Sequence, residues 1–200
     1  LDEIGLARPE DVDTAIYQIV NGTSKLRATI TGELAGQACW RTLVLSTGEI
    51  WLSEVFQRLG KEVKAGQETR LVEIPVFGRY GAFDELHEFC SAEELVDALK
   101  SATRHYYGTL FRAWIECLTE RGDELSIYAK GEVKRLTDQW TTPLMASQVV
   151  RVMRRFALIS TALGLACRNY LLPWTEEESE QAVHQVADAW IKSRGHIFNK

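Results

Sequence analysis

The chain has 200 residues, of which 46% are hydrophobic, and a formal net charge of −5. This length and apolar share exclude a disordered polypeptide and predict one or two compact domains. The acidic balance argues against a wholly basic nucleic-acid surface but leaves room for a local basic patch. The apolar runs fall short of the roughly 20 residues that a membrane-spanning helix needs, so we expect no membrane association. Four scattered cysteines without a CxxC pair predict reduced thiols in a cytoplasmic protein.

The chain opens on Leu1-Asp2-Glu3-Ile4-Gly5, which is typical of a strand that ends on two acidic residues. In nucleotide hydrolases the first acid of such a pair holds Mg²⁺ and the second polarises the attacking water. An isolated Asp-Glu dipeptide is more often solvated surface. Because the chain starts inside a strand-like segment, we expect it to be the carboxyl-terminal portion of a longer protein.

A helix is predicted from Pro9 to Val20, and the alternating residues 23–31 after it predict a β-strand. Glycines beyond this strand predict a turn back to Cys39-Trp40, which would complete a β-hairpin. Lys25 and Arg27 lie on the polar face of the hairpin. They are candidates for contacts with DNA phosphates, and the alternative of two solvated side chains has equal weight.

Two strands of an open α/β sheet are predicted next, at 40–47 and 71–74, with a short amphipathic helix at 54–59 between them. Ligands of such sheets bind at the carboxyl ends of the strands. The polar residues at the edges of these strands are Ser46, Thr47 and Arg70. The sequence therefore predicts one side of a ligand pocket here.

From residue 78 onward the pattern is helical. Helix signals include Ser91 with Glu94 and Thr175 with Glu178, both typical of capping boxes. The helices are predicted from Ser91 to about His105, from Leu110 to near Gly122, from Leu125 to Trp140, from Thr142-Pro143 to before Pro173, and from Thr175 to Gly195. We therefore expect an α/β core at 1–77 followed by an all-α domain at 78–200.

Other chemical motifs are weak or missing. His87 and Cys90, at i and i+3, have a spacing that would let both face one metal, but two ligands do not make a site. The chain has no Gly-x-Ser-x-Gly motif and no Gly-Lys-Ser/Thr phosphate-binding loop.

The order of five segments resembles a known family. The segments are LDEIG, YQIVNGTSKLRA, WRTLVLSTGEIWLSE, AGQETRLVEIPV and RVMRRFALIS. Together they resemble the bacterial and phage family called domain of unknown function 927. That family looks like a helicase-like P-loop ATPase associated with the primase modules of phages and plasmids. The family's phosphate loop precedes the acid pair, so this chain looks like the carboxyl-terminal portion of such a protein.

The resemblance implies a truncated P-loop ATPase sheet with a β-hairpin, followed by a helical lid. It also implies roles for individual residues. Asp2 would hold Mg²⁺ and the nucleotide, Glu3 would activate water, and Ser46 and Thr47 would be the sensor at a strand end. Arg70 would be an arginine finger, with a structural pairing to Glu68 or Glu73 as the alternative. Arg151 or Arg155 would be a second sensor from the lid, and Lys25 and Arg27 would face DNA.

The function implied is ATP-driven unwinding of DNA in replication of a mobile element. The complete protein would use ATP and Mg²⁺, bind single-stranded DNA, form a homo-oligomeric ring and work beside a primase. This chain alone is expected to bind no cofactor and to be inactive. The alternative is a non-catalytic helicase derivative whose helical half binds DNA or a protein partner.

Overall fold

The computed structural model describes residues 16, 18–24, 36–58, 60, 69–76 and 78–195. The chain divides into two compact units, Leu1–Glu73 and Ile74–Lys200. In the part of the chain that is described, no helix is long and apolar enough to cross a membrane.

The first unit contains a helical segment at 18–21 and helix α1, Leu52–Gln57. Gly22 ends the helical segment with a φ of 69°. A Cβ at this position would lie 2.5 Å from the carbonyl oxygen of Trp40, so the turn requires glycine. Helix α1 buries Val55 and Phe56, as its apolar spacing predicts.

The prediction of an α/β sheet is wrong. Residues 41–48 and 71–76 form no strand, and Leu43 and Leu45, expected in the core, are 98% and 86% exposed. An apolar run favours a strand only if a neighbouring strand satisfies its backbone N–H and C=O groups. No described residue forms a ladder beside either segment.

The predicted β-hairpin is also not seen. An isolated antiparallel bridge joins Thr23 to Cys39, with backbone hydrogen bonds from Ser24 N to Ala38 O and from Trp40 N to Gly22 O. Most of the predicted strand, at 25–31, lies outside the described residues. The described residues therefore form one isolated bridge and no β-sheet.

The described residues of the second unit form four helices. They are α2 (Ala92–His105), α3 (Thr109–Trp140), α4 (Ser147–Arg168) and α5 (Glu176–Arg194). The capping box at Thr175 and Glu178 is confirmed. At α2 the hydroxyl of Ser91 accepts a hydrogen bond from Glu94 N, but the Glu94 carboxylate accepts from Cys90 N, one residue earlier than a capping box requires.

Two helix predictions need correction. The helices expected on either side of Gly122 are one helix, α3, with a kink at Arg121, whose backbone has φ −122° and ψ 22°. Glycine weakens a helix but does not always end it, and here the helix continues. Helix α4 begins at Ser147, because Pro143 lies in a turn before it.

Helices α3, α4 and α5 pack together as the core of the second unit. Arg121 and Tyr128 of α3 meet the end of α4, so the two helices are antiparallel. Phe156 of α4 and Trp190 of α5 pack with ring centroids 6.2 Å apart. The most deeply buried side chains of this unit are Leu136, Val149, Val152, Met153, Ala157 and Ala187.

Candidate nucleic-acid interface

Helix α4 has two faces of different chemistry. One face is packed against α3 and α5 and is nearly inaccessible. The opposite face, which we call the α4 outer face, is exposed and consists of Arg151, Arg154, Arg155, Leu158, Ile159 and Ala162. These positions follow the spacing i, i+3, i+4, i+7, i+8 and i+11, so helix geometry places all six side chains on one stripe.

The first half of the α4 outer face is basic. Arg151, Arg154 and Arg155 lie within about 6 Å along the helix axis, at 1.5 Å per residue. Helix α4 contains four arginines and no acidic residue. Among the described residues no carboxylate pairs with Arg151 or Arg154. Their charge is therefore available to an anionic ligand, whereas the chain as a whole is acidic.

Other arginines of the bundle serve the fold. Arg168, at the end of α4, donates two hydrogen bonds to Glu176 of α5 and lies 4.4 Å from the ring centroid of Tyr128 of α3. The Glu176 carboxylate raises the pKa of Arg168. Arg121 is similarly held by Glu124 and Asn169. This contrast separates Arg121 and Arg168, which are held by the fold, from Arg151 and Arg154.

The second half of the α4 outer face is apolar. Leu158 and Ile159 are about half exposed and Ala162 lies one turn further on. The α4 outer face therefore presents positive charge and apolar surface side by side.

The structure does not bring the predicted site residues that it describes together in one place. Asp2, Glu3, Lys25 and Arg27 lie outside the described residues. Arg155 lies on the α4 outer face beside Arg151, so the arginines of RVMRRF are brought together. The predicted strand-end residues do not lie on strands: Ser46 donates from its hydroxyl to Thr47 O at 3.3 Å, and Arg70 is half-buried in a turn.

The predicted nucleotide and Mg²⁺ site stays a prediction, because Asp2 and Glu3 lie outside the described residues, but the strands predicted to support its other residues do not form. The sensor and finger roles need strand ends that aim side chains at one phosphate. Ser46, Thr47 and Arg70 lack that support, since no strand forms at either segment. No group of three or more metal-binding side chains occurs in the part of the chain that is described, and His87 and Cys90 are both exposed.

Sequence reasoning missed two exposed aromatic residues in the loop after α4. Tyr170 is 94% exposed and Trp174 is 55% exposed. Both lie in the segment between α4 and α5. The sequence does show two aromatic residues, Tyr170 and Trp174, close to Pro173, which ends the predicted helix. Residues in such a connection between helices usually lie on the surface.

Comparisons with known proteins are informative only for the start of the chain. The model of the family described as Domain of unknown function (DUF927) matches residues 1–38. No curated protein and no solved structure matches the chain. The family match thus covers the amino-terminal segment and does not extend to the helical unit that carries the α4 outer face.

Proposed function

We propose that this chain is a non-catalytic module that binds single-stranded DNA through the α4 outer face of its helical unit. The observation that carries the proposal is the exposed pair Arg151 and Arg154, one turn apart on a helix without acidic residues. Arginine matches phosphate oxygens in geometry and charge, and phosphate contacts provide most of the affinity for nucleic acid.

The apolar continuation of the face favours a single strand. Leu158 and Ile159 contribute apolar surface next to the arginines. A duplex presents mainly phosphates and sugars to an exposed helix that lies outside its grooves, whereas a single strand can turn its bases toward apolar side chains.

The family match at 1–38 is to a domain of unknown function and adds no biochemical role to the proposal. The resemblance implies that the complete protein is an ATP-driven helicase that works beside a primase in replication of a mobile element. In this proposal the module supplies DNA binding to such an assembly. The ATPase activity itself remains a prediction that rests on the resemblance.

The test is an anisotropy titration of a labelled oligothymidylate at several salt concentrations. For single strands, log K falls with log salt by about 0.7 per phosphate neutralised. The double variant Arg151→Gln with Arg154→Gln should reduce this slope by about 1.4 and weaken binding by roughly tenfold or more.

A matched control removes two positive charges from another exposed helix face. Lys130→Gln with Lys134→Gln on α3 lowers the net charge by the same amount. We expect this control to keep the wild-type slope. Equal losses in the two double variants, or absence of DNA binding by the wild-type chain, would refute the proposal.

A further inference from the structure

The end of helix α4 has an unusual residue in a well-defined motif. Tyr170 N donates to Cys167 O and Leu171 N donates to Ala166 O, each at 2.9 Å. These two bonds define a Schellman motif, in which the residue after the C-cap takes the left-handed conformation and is usually glycine. Here that residue is Tyr170, with a φ of 57°.

The surrounding contacts hold this conformation in place. The side chain of Asn169, the C-cap, donates to Leu165 O at 2.7 Å and accepts from Arg121 Nη1 at 2.7 Å. A bulky residue in the left-handed region is a genuine outlier that persists only when its neighbours fix it. The fold therefore fixes the backbone of Tyr170 and the direction in which its side chain leaves the chain.

The ring of Tyr170 does not compensate for this conformation by packing. The residue is 94% exposed, and Trp174, four residues later, is 55% exposed. A strained and exposed aromatic residue, followed four residues later by a second exposed aromatic, is better explained by a ligand than by the fold.

We infer that Tyr170 and Trp174 form a base-stacking platform for single-stranded nucleic acid, an inference that rests on the proposed function. Aromatic side chains stack on any base, so the platform would be independent of sequence. Arg168, the last residue of α4, lies about 20 Å along the helix axis from Arg155 at 1.5 Å per residue, and Tyr170 follows two residues later. The α4 outer face ends at Ala162, and residues 164–167 are buried. A single strand with phosphates at the arginines and bases at the platform would cross this buried stretch.

The charges near the platform favour bases over phosphates. Glu176, Glu177 and Glu178 form the first turn of α5, directly after Trp174. Glu176 is paired with Arg168, and Glu178 is used as a cap. These carboxylates would repel a phosphate at this end of the face, so an uncharged aromatic group is the better match.

The experiment compares an oligothymidylate with an abasic strand of the same length and the same backbone charge. The wild-type chain should prefer the base-containing strand by about tenfold, since stacking contributes about 1–3 kcal/mol per base. Tyr170→Gly and Tyr170→Asn, which both suit the left-handed conformation, should lose most of this preference. Arg154→Gln should weaken binding to both strands and retain the preference.

Tyr107→Asn is the matched control, because it removes another exposed tyrosine. It should behave as the wild type. Equal affinity of the wild-type chain for the oligothymidylate and the abasic strand would overturn the inference of a stacking platform and leave the proposed function intact. An unchanged preference in Tyr170→Gly would also overturn it and would point to a protein partner for the aromatic pair. Absence of binding to either strand would refute the proposed function, and the platform with it.

Discussion

Arg135 of α3 donates a hydrogen bond to Glu180 of α5, with Nη2 and Oε2 2.7 Å apart. The same guanidinium also binds Glu132, one turn earlier on α3. These two carboxylates raise the pKa of Arg135 further above its ordinary value, with Glu132 as the larger cause. The arginine therefore links two helices of the bundle while it stays charged at any pH at which the protein folds.

We expect Arg135→Gln to lower the free energy of unfolding by about 0.5 kcal/mol, because the side chain is half exposed and water screens the ion pairs. Urea unfolding monitored by circular dichroism would measure this. Lys134→Gln, next to it, breaks a more exposed intrahelical pair with Asp138 and serves as the control. The loss in Arg135→Gln should shrink at high salt, and a loss that is independent of salt would contradict an electrostatic origin.

Tyr170→Gly should stabilise the protein by roughly 0.5–1 kcal/mol. A non-glycine residue in the left-handed conformation costs about 1–2 kcal/mol, so replacing it with glycine relieves this strain. Glycine also has more conformational freedom in the unfolded chain, which reduces the net stabilisation. Chemical unfolding would measure the difference, with Tyr107→Gly as the comparison. A destabilised Tyr170→Gly would mean that the tyrosine ring contributes to packing, contrary to its exposure.

Core substitutions should separate the packed face of α4 from its outer face. Met153→Ala should cost about 2–5 kcal/mol, since it leaves a cavity at a fully buried position between helices. Leu158→Ala, on the outer face, should change stability by less than about 0.5 kcal/mol. Thermal unfolding of both variants gives the comparison. Similar losses at the two positions would show that the outer face is covered in solution.

The cap of α5 should make stability depend on pH. The backbone N–H and hydroxyl of Thr175 donate to the Glu178 carboxylate and lower the pKa of Glu178 below its ordinary value of 4.5. A carboxyl group whose pKa is lowered by folding stabilises the protein above its unfolded pKa, and this contribution disappears as the pH falls through the folded value. Thermal unfolding at neutral pH and at about pH 3 should therefore show a smaller acid-induced loss for Glu178→Gln than for the wild type.

Thr175→Ala tests the same cap from the other side. The hydroxyl of Thr175 accepts a hydrogen bond from Glu178 N at 3.1 Å. Its loss should cost about 1 kcal/mol, a typical value for an N-cap. Thr175→Ser keeps the hydroxyl and should unfold like the wild type in the same denaturant titration. Equal stability of the alanine and serine variants would argue against the capping role.

The sequence by itself determined the helical half of this protein. The caps at Ser91 and Thr175, the glycine end at Gly195 and the apolar stripe of α4 are local patterns, because a helix satisfies its backbone hydrogen bonds within one segment. The kink at Arg121 was less predictable, since contacts with Asn169 and Glu124 support a single helix through Gly122.

Only the tertiary structure decided the rest. A strand needs a partner from elsewhere in the chain, so the apolar run at 43–45 could not show that no sheet forms there. The sequence shows the spacing of the arginines along α4, but their exposure depends on which face of α4 the helices α3 and α5 cover. The left-handed backbone of Tyr170 is also invisible in the sequence, because a Schellman motif ordinarily contains glycine and here the neighbouring contacts hold tyrosine in its place.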